Sequence, residues 1–385
     1  MIPAWKLRRE VRRVVQQIAT LPSTIVQLPN RLGEPRRRRL HDARFRETVR
    51  LRDGTISPGS QIGIFLIYQP HGIAPSVLAT CDWLVANGFA PLVVSNCPVT
   101  DADFAKLAPR CWQTMERPNF GYDFGGYRDA IRHINGQGLS PGRLIIMNDS
   151  VWFPMRSDVM ERLVALPQDI VGLLQDEKVA HDRQGGMPTD RMHLESYFFL
   201  IRERALSSEV FRHFWRDYRM TDFKPNTIKF GEIGFSKAMA AGGLSLGALT
   251  DRSRFLAGLR GHDAAGLRRI LSYAAYADRD IAADADRVLA EYAPTEAWRE
   301  RAFAHITRAV NRKRFNASFP LATDEVFGIH FLKKSREPIF SNMRRAYVRL
   351  LDDNLVQPPP PEIEAEVRKA VARDFPEQTG SPRVA

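Results

Sequence analysis

From residue 61 onward the chain alternates between short, continuous apolar runs and longer stretches in which apolar residues recur every three or four positions. Residues 62–68, with the sequence IGIFLIY, form such a run and predict a parallel strand that is buried on both faces. Residues 75–87 carry the helical spacing and end at Gly88, a typical helix stop. The pattern therefore begins as a strand followed by a helix.

The same alternation continues through the middle of the chain. The predicted strands are 62–68, 90–98, 111–117, 144–147, 170–174 and 196–202. The predicted helices are 75–87, 101–109, 126–135, 158–166, 210–218 and 232–241, and residues 252–351 are mainly helical. Strands separated by helices indicate an α/β fold with a mostly parallel sheet, right-handed connections and helices on its faces.

Composition divides the chain into four segments. A basic N-terminal arm covers 1–57, an α/β domain 58–250, a helical C-terminal region 251–355, and a proline-rich linker with a tail 356–385. No apolar run approaches the roughly 18 to 20 residues that span a bilayer. The three cysteines show no CxxC spacing, so we expect buried thiols in a cytoplasmic protein.

The net charge of +12 is concentrated in the arm, where residues 1–50 hold 13 Lys/Arg and 4 Asp/Glu. Residues 4–20 interleave apolar positions with arginines and predict a basic amphipathic helix suited to an anionic membrane surface. A helix docked on its own domain is the alternative. The arginine run at 36–39 suits nucleic acid electrostatically, but no nucleic-acid motif accompanies it, so we expect no such partner. The arm therefore predicts peripheral attachment at the inner face of a membrane.

Candidate chemistry lies between residues 117 and 155. The strand LIIM ends abruptly in Asn148, Asp149 and Ser150, and open α/β sheets build ligand sites at such carboxyl ends. A glycine-rich turn precedes the helix before that strand, and its backbone amides can approach an anion or a sugar closely. The turn carries Asn119, Gly121, Asp123, Gly125 and Gly126. Together the two segments predict a nucleotide-sugar site.

Four strings of residues carry a resemblance to a known family. RPNFGYDFGGY, LIIMNDSVWFP, HLESYFFLIRERALSSEVFRHFW and EIGFSKAMAAGG, in this order and spacing, resemble the rhamnan synthesis protein F family of glycosyltransferases in bacterial surface polysaccharide assembly. NASFPLATDEVFGIHFLKKSRE resembles that family's C-terminal signature. The resemblance covers roughly residues 60–340. It implies a nucleotide-sugar donor, with rhamnose suggested by the family's name, and a lipid-linked or polysaccharide acceptor.

The same segments resemble, more loosely, inverting glycosyltransferases of the GT-A (Rossmann-like) fold. By that resemblance Asn119 and Gly121 stand at an N-x-G turn, Asp149 at a D-x-D metal motif and Glu232 at a catalytic acidic pair. The implied cofactor is Mg²⁺ or Mn²⁺. The sequence departs from this pattern, because NDS offers one carboxylate where D-x-D offers two, and Ile233 replaces the second acid after Glu232.

The resemblance and the chemistry of sugar transfer together suggest a role for each candidate residue. Glu232 is the expected catalytic base; the alternative is an acid favourably placed at a helix N-terminus. Asp149 is expected to contact the metal or the donor; the alternative is an aspartate that caps the next helix or turn. On the donor side, Asn148 and Ser150 are expected to orient the loop, and His71 is expected to contact the nucleotide base. Asp123 could add a carboxylate, or Arg128 a positive charge, at the diphosphate, which His330 and Lys333 are also expected to reach. His193 and Glu195 are expected to line the acceptor pocket. A non-catalytic saccharide-binding or scaffolding protein remains the alternative function.

Overall fold

The structure, a computed structural model, describes residues 33–177, 192–312 and 314–376. The predicted amphipathic helix at 4–20 therefore lies outside the described residues. The strands are β1 (Arg50–Asp53), β2 (Gln61–Ile67), β3 (Ala90–Ser95), β4 (Gln113–Glu116), β5 (Arg143–Asn148), β6 (Val151–Trp152), β7 (Ile170–Glu177), β8 (Met192–Leu194), β9 (Phe198–Arg202), β10 (Leu246–Thr250) and β11 (Leu332–Lys333).

The main sheet has the order β1-β4-β3-β2-β5-β9-β7-β10, with β8 paired to β7. Strands β4, β3, β2 and β5 are parallel neighbours, and β9 runs antiparallel to both β5 and β7. Strand β10 is parallel to β7, so the sheet is mostly parallel apart from β1, β8 and β9. Strands β6 and β11 form a separate antiparallel pair. The predicted α/β fold with a mostly parallel sheet is confirmed.

Helices surround this sheet and form most of the C-terminal region. They are α1 (33–43), α2 (Phe45–Thr48), α3 (Pro75–Ala86), α4 (Asp101–Leu107), α5 (Tyr122–Gly136), α6 (Val159–Ala165), α7 (Glu203–Leu206), α8 (Glu209–Asp217), α9 (Lys224–Asn226), α10 (Ile233–Ala241), α11 (Arg252–Leu259), α12 (Ala264–Ser272), α13 (Arg279–Ala290), α14 (Glu296–Arg312), α15 (Phe315–Ser318), α16 (Pro320–Phe327), α17 (Pro338–Asp352) and α18 (Pro361–Asp374). None of these described helices has both the length and the apolarity that crossing a bilayer requires.

The sheet is covered on both faces, and β2 shows how. Phe65 and Ile67 pack in a core that also contains residues of the C-terminal helices. Ile64 and Leu66 point to the opposite face and pack in a core with residues of α5, α8 and α10. This double burial explains why the strand reads as a continuous apolar run. The helical C-terminal region therefore shares a core with the sheet.

Helix α5 begins at Tyr122, four residues before its predicted start. Gly121 precedes it with φ of 85°, a conformation that favours glycine. The prediction that Gly125 and Gly126 belong to a turn is wrong, because both lie within the helix. A Cβ on Gly125 would lie 2.2 Å from the carbonyl oxygen of Phe120, and one on Gly126 would lie 2.0 Å from Leu66 Cδ1. These two glycines therefore allow close packing.

The described part of the predicted arm packs against the α/β domain. His41 Nε2 on α1 lies 2.9 Å from Asp129 Oδ2 on α5, and both side chains are buried. Arg37, from the arginine run, donates to Asp222 Oδ2 at 2.9 Å. Residues 33–48 are therefore docked on the domain, while the choice between membrane contact and docking for the helix predicted at 4–20 lies outside the described residues.

Candidate functional site

The carboxyl ends of the parallel strands β2 and β5 meet at one edge of the sheet. Asp149 directly follows β5, and its backbone N–H donates to the carbonyl of Leu66 on β2. Asp149 Oδ2 accepts hydrogen bonds from Tyr68 N at 3.0 Å and from Gln69 Nε2 at 2.6 Å. Burial raises the pKa of Asp149, although the nearby Lys334 opposes this shift. The loop after β2 therefore fixes the carboxylate at the predicted strand end.

Asp123, in the first turn of α5, joins the same edge. Its Oδ2 accepts a hydrogen bond of 3.0 Å from Asn148 Nδ2. Asn148 Oδ1 accepts from Ser150 N at 3.1 Å and Ser150 Oγ at 2.6 Å, as expected for residues that orient the loop. Burial and the negative charges of Asp149 and Glu232 raise the pKa of Asp123 to about 6.

Glu232 is the third acid of the group, and its negative charge acts on Asp123. It ends a π-helical segment, Thr227–Glu232, and α10 starts one residue later, so the prediction that it opens the helix is off by one position. Glu232 Oε2 accepts from Ser196 N at 3.1 Å and Ser196 Oγ at 2.6 Å, and Oε1 lies 3.3 Å from His193 Nε2. Burial acts to raise the pKa of Glu232, but His193 and the Ser196 bonds outweigh it and lower it to about 2.

A lysine from the C-terminal region lies beside Asp149. Strand β11 pairs with β6, which begins two residues after Asp149, and Lys334 N donates to the carbonyl of Ser150. Lys334 Nζ lies 3.2 Å from Ser76 Oγ at the start of α3. Burial lowers the pKa of Lys334, while Asp149 and Glu366 favour its charged form. Asp149 therefore has a protein cation as its neighbour.

Glu366 of helix α18 accepts hydrogen bonds from Ser76 and Trp152, which lie near Lys334. Its Oε1 accepts from Ser76 N at 2.8 Å, and its Oε2 accepts from Ser76 Oγ at 2.7 Å. Trp152 Nε1 on β6 donates to the same Oε2 at 2.9 Å. Since Ser76 contacts Lys334, Glu366 links α18 to the acidic edge of the sheet.

A second lysine, Lys333, projects beside Glu195. Its Nζ lies 3.5 Å from Glu195 Oε2, and Arg314 Nη1 lies 2.8 Å from Glu195 Oε1. Burial lowers the pKa of Lys333, and the carboxylates of Glu195 and Glu232 oppose that shift. The predicted residues Glu195, His193, Glu232 and Lys333 thus lie in one connected network.

Asp176, His193 and Glu195 have the separations of a metal-ligand group, with ligand atoms within 4.8 Å of one another; no other such group occurs in the described ranges. Arg314 and Lys333 already neutralise Glu195, so a divalent cation there would face two positive charges. At Asp149 the carboxylate accepts two N–H donors and faces Lys334. A divalent cation at either set of residues would therefore have to compete with protein cations that already lie beside the carboxylates.

The other predicted residues make contacts elsewhere or lie in exposed loops. Arg128 donates to both carboxylate oxygens of Asp42 on α1, at 2.6 and 3.0 Å, and is therefore not directed at the acids. His330 is buried beside Arg156 and Arg162, and burial with these charges lowers its pKa to about 4. His71 and Asn119 are exposed in loops.

Several site residues escaped the sequence analysis. Gln69 donates a hydrogen bond to Asp149, and Ser196 donates to Glu232. Tyr127 Oη donates to the carbonyl of Ser196 at 3.0 Å. Lys334 and Glu366 come from distant parts of the chain. Only Lys334 had a local signal, since it follows the predicted Lys333 in the sequence FLKK. The others become recognisable only through contacts between distant parts of the chain.

Known proteins share parts of this sequence. The family described as rhamnan synthesis protein F matches residues 92–260. An uncharacterized protein, y4gN, of Sinorhizobium fredii strain NGR234 is 30% identical over 275 residues, which cover 71% of this chain and 68% of the relative. A structure from Desulfovibrio desulfuricans G20, assigned as a nucleotide-diphospho-sugar transferase, covers 51% of this chain and 81% of its own at 14% identity. Its TM-score of 0.29 is too low to support a shared fold.

Proposed function

Because the chain belongs to the rhamnan synthesis protein F family, we propose that it is a glycosyltransferase of the GT-A type. It transfers a sugar from a nucleotide-sugar donor to a lipid-linked or polysaccharide acceptor, with inversion at the anomeric carbon. The family's name favours rhamnose as the sugar. The observation that carries this proposal is the convergence of Asp123, Asp149 and Glu232 with Lys333 and Lys334 at the carboxyl ends of the strands.

Inverting transfer needs a base that takes the proton of the acceptor hydroxyl as it attacks the anomeric carbon. Glu232 was the predicted base, but its pKa of about 2 makes its carboxylate a weak proton acceptor. Asp123, with a pKa of about 6, is ionised at neutral pH and holds a proton more firmly. We therefore favour Asp123 as the base and assign Glu232 the positioning of Ser196 and His193.

The departing nucleoside diphosphate needs positive charge near its phosphates. The charge of Lys333 acts on Asp123, and the charge of Lys334 acts on Asp149. We assign both lysines to the diphosphate, with Lys334 beside Asp149. Asp149 and Asn148 then contact the donor at the strand end. This assignment replaces Arg128, which Asp42 already holds.

The acceptor side of the site is proposed at His193 and Glu195. Both side chains are buried, and His193 Nε2 lies 3.3 Å from Glu232 Oε1. A lipid-linked acceptor would lie in a membrane, and the amphipathic helix predicted at residues 4–20 of the basic arm is our candidate for contact with an anionic inner membrane surface. Liposome flotation with and without that arm tests this part.

Calorimetric titration with dTDP and UDP tests the proposed donor site. We expect saturable binding by wild-type protein and loss of binding in Asp149→Ala, while Asp217→Ala, which removes an exposed acid on α8, binds normally. Titrations with and without Mn²⁺ or Mg²⁺ separate a metal-assisted site from one that relies on Lys333 and Lys334. If a well-folded wild-type protein binds neither nucleotide under any condition, the scaffolding alternative replaces the transferase.

A further inference from the structure

A cavity of about 740 Å³ lies between α5 and the helix pair α7–α8, a volume in the range of ligand pockets. Its floor is apolar and includes Ile131, Ile134, Leu144 and Phe211, all of which are buried. Its rim is polar and carries arginines from α5 and α8. The cavity therefore combines an apolar interior with a basic entrance.

Two residues of the cavity wall have a buried donor without an acceptor. Trp215 Nε1 and Arg128 Nε make no hydrogen bond within the described ranges. Both nitrogens are covered by protein atoms and have almost no accessible surface, so a ligand in the cavity would contact other atoms of these side chains. The cavity's own chemistry is therefore set by its apolar floor and its polar rim.

The charges at the entrance favour an anion. Arg128 and Arg132 both contact Asp42, Arg128 also lies 3.9 Å from Asp129, and Arg216 is paired with its neighbour Asp217. Arg212 is exposed and forms no ion pair with any residue that the structure describes. The described lining contains these four arginines and one acid, Glu203, so positive charge exceeds negative charge in the lining itself.

The cavity is separate from the proposed donor site. Asp123 lies in the first turn of α5, whereas the cavity begins at Arg128 and reaches Asn135 at the other end of the helix. The helical rise of about 1.5 Å per residue places these two positions roughly 8 Å and 18 Å from Asp123 along α5. A ligand in the far half of the cavity would therefore lie away from Asp123.

From these observations we propose that the cavity binds an anionic amphiphile: a single alkyl or prenyl chain that carries a phosphate or carboxylate head. The chain occupies the apolar floor, and the head accepts hydrogen bonds from the arginines of the rim. This binding does not depend on the proposed transferase activity, so either proposal can fail without the other.

Calorimetric titration of the full-length protein with decyl phosphate, kept below its micelle concentration, tests the proposal. We expect saturable binding of one molecule, about tenfold weaker binding in Arg212→Glu, and no saturable binding in Leu139→Trp, where a larger side chain fills the cavity. Lys369→Glu makes the same charge change at an exposed site on α18 and should bind like wild type.

Decyl maltoside and inorganic phosphate distinguish the contributions of chain and head. Both should bind at least about tenfold more weakly than decyl phosphate. Equal binding of decyl maltoside would overturn the anionic head, and equal binding of inorganic phosphate would overturn the chain. Undiminished binding of decyl phosphate to folded Arg212→Glu and Leu139→Trp would overturn the site itself.

Discussion

Asp123 and Glu232 are carboxylates of one site whose surroundings move their pKa values in opposite directions, to about 6 and about 2. Asp123 accepts a single amide hydrogen bond and faces negative charge. Glu232 instead accepts two hydrogen bonds from Ser196 and lies next to His193. Different pKa values for neighbouring acids indicate different roles, and they allow each acid to be tested separately.

Replacement of Asp123 should change how stability depends on pH. Because the folded-state pKa lies above the ordinary 3.8, the stabilising contribution of Asp123 is present below pH 4 and is lost as pH rises through about 6. The Asp123→Asn variant has no carboxyl group at this position, so its unfolding free energy does not include this pH-dependent loss. The variant's unfolding free energy relative to wild type should therefore rise by about 2–3 kcal/mol between pH 4 and pH 7.5, as urea unfolding at both pH values will measure. A pH-independent difference would contradict the raised pKa.

Asp123 and Glu232 should also differ in their effects on the pH dependence of sugar transfer. With Asp123 as base, kcat/KM rises with pH through about 6, and Asp123→Asn lowers kcat by about 10²–10⁴-fold. Glu232→Gln slows the reaction and moves the inflection to lower pH without abolishing it, because it removes one of the negative charges that raise the pKa of Asp123. Initial rates between pH 4.5 and 8, with the donor identified by titration, measure both effects. An inflection that disappears in Glu232→Gln and persists in Asp123→Asn would assign the base to Glu232.

Lys334 should control nucleotide affinity. Lys334→Met removes the cation beside Asp149 and keeps most of the side-chain volume, so the affinity for dTDP or UDP should fall by at least about tenfold. Calorimetry at two salt concentrations measures this loss. Lys369→Met, on the exposed face of α18, is the matched control. Unchanged affinity in Lys334→Met would exclude contact between this lysine and the diphosphate.

Two glycines of α5 should respond oppositely to alanine. Gly125→Ala forces a Cβ toward the carbonyl oxygen of Phe120 and should lower the unfolding free energy by about 1–3 kcal/mol. A Cβ on Gly136, at the end of the same helix, would meet no heavy atom of the described residues within 4 Å, so Gly136→Ala should raise the unfolding free energy by up to about 1 kcal/mol. Denaturant unfolding compares the two. Similar effects would show that packing does not require Gly125.

Asp129 should be a determinant of stability. Its Oδ2 accepts from Arg117 Nε at 2.7 Å, and both side chains are fully buried. Asp129→Ala leaves Arg117 as an uncompensated buried charge and should cost about 3–5 kcal/mol in unfolding free energy. Asp217→Ala, at an exposed arginine pair, should leave the denaturation midpoint unchanged. A small effect of Asp129→Ala would mean that water or another acid replaces the carboxylate.

The sequence predicted the elements whose patterns are local. The helix expected at 75–87 is observed at Pro75–Ala86, and the run at 62–68 is observed as Gln61–Ile67, because burial on both faces leaves a continuous apolar signal. Cys81, Cys97 and Cys111 are buried free thiols, as expected. Strands β1, β6, β8, β10 and β11 were missed. Strands β6, β8 and β11 span only two or three residues, and β1 and β10 (RLRD and LGALT) contain no continuous apolar run.

Some residues of the proposed site also carry a local signal. Asn148 and Asp149 stand out because polar residues end an apolar strand, and Asp123 lies in the glycine-rich segment GYDFGGY. The placement of Arg128 was not predictable, because its partner Asp42 belongs to a segment assigned to the arm. Lys334 and Glu366 reach the site only through tertiary packing, and no spacing along the chain encodes that approach.

The contact between Ser76 and Glu366 joins positions 290 residues apart, and it has a consequence for synthesis on the ribosome. At roughly 5–20 residues per second, about 15–60 s pass between translation of these two residues. During that interval the sheet can form, but Ser76 and Trp152 lack the carboxylate that holds them. While the nascent chain emerges, the acidic edge of the sheet therefore lacks the contacts of Ser76 and Trp152 with Glu366. These contacts form only after translation has passed residue 366.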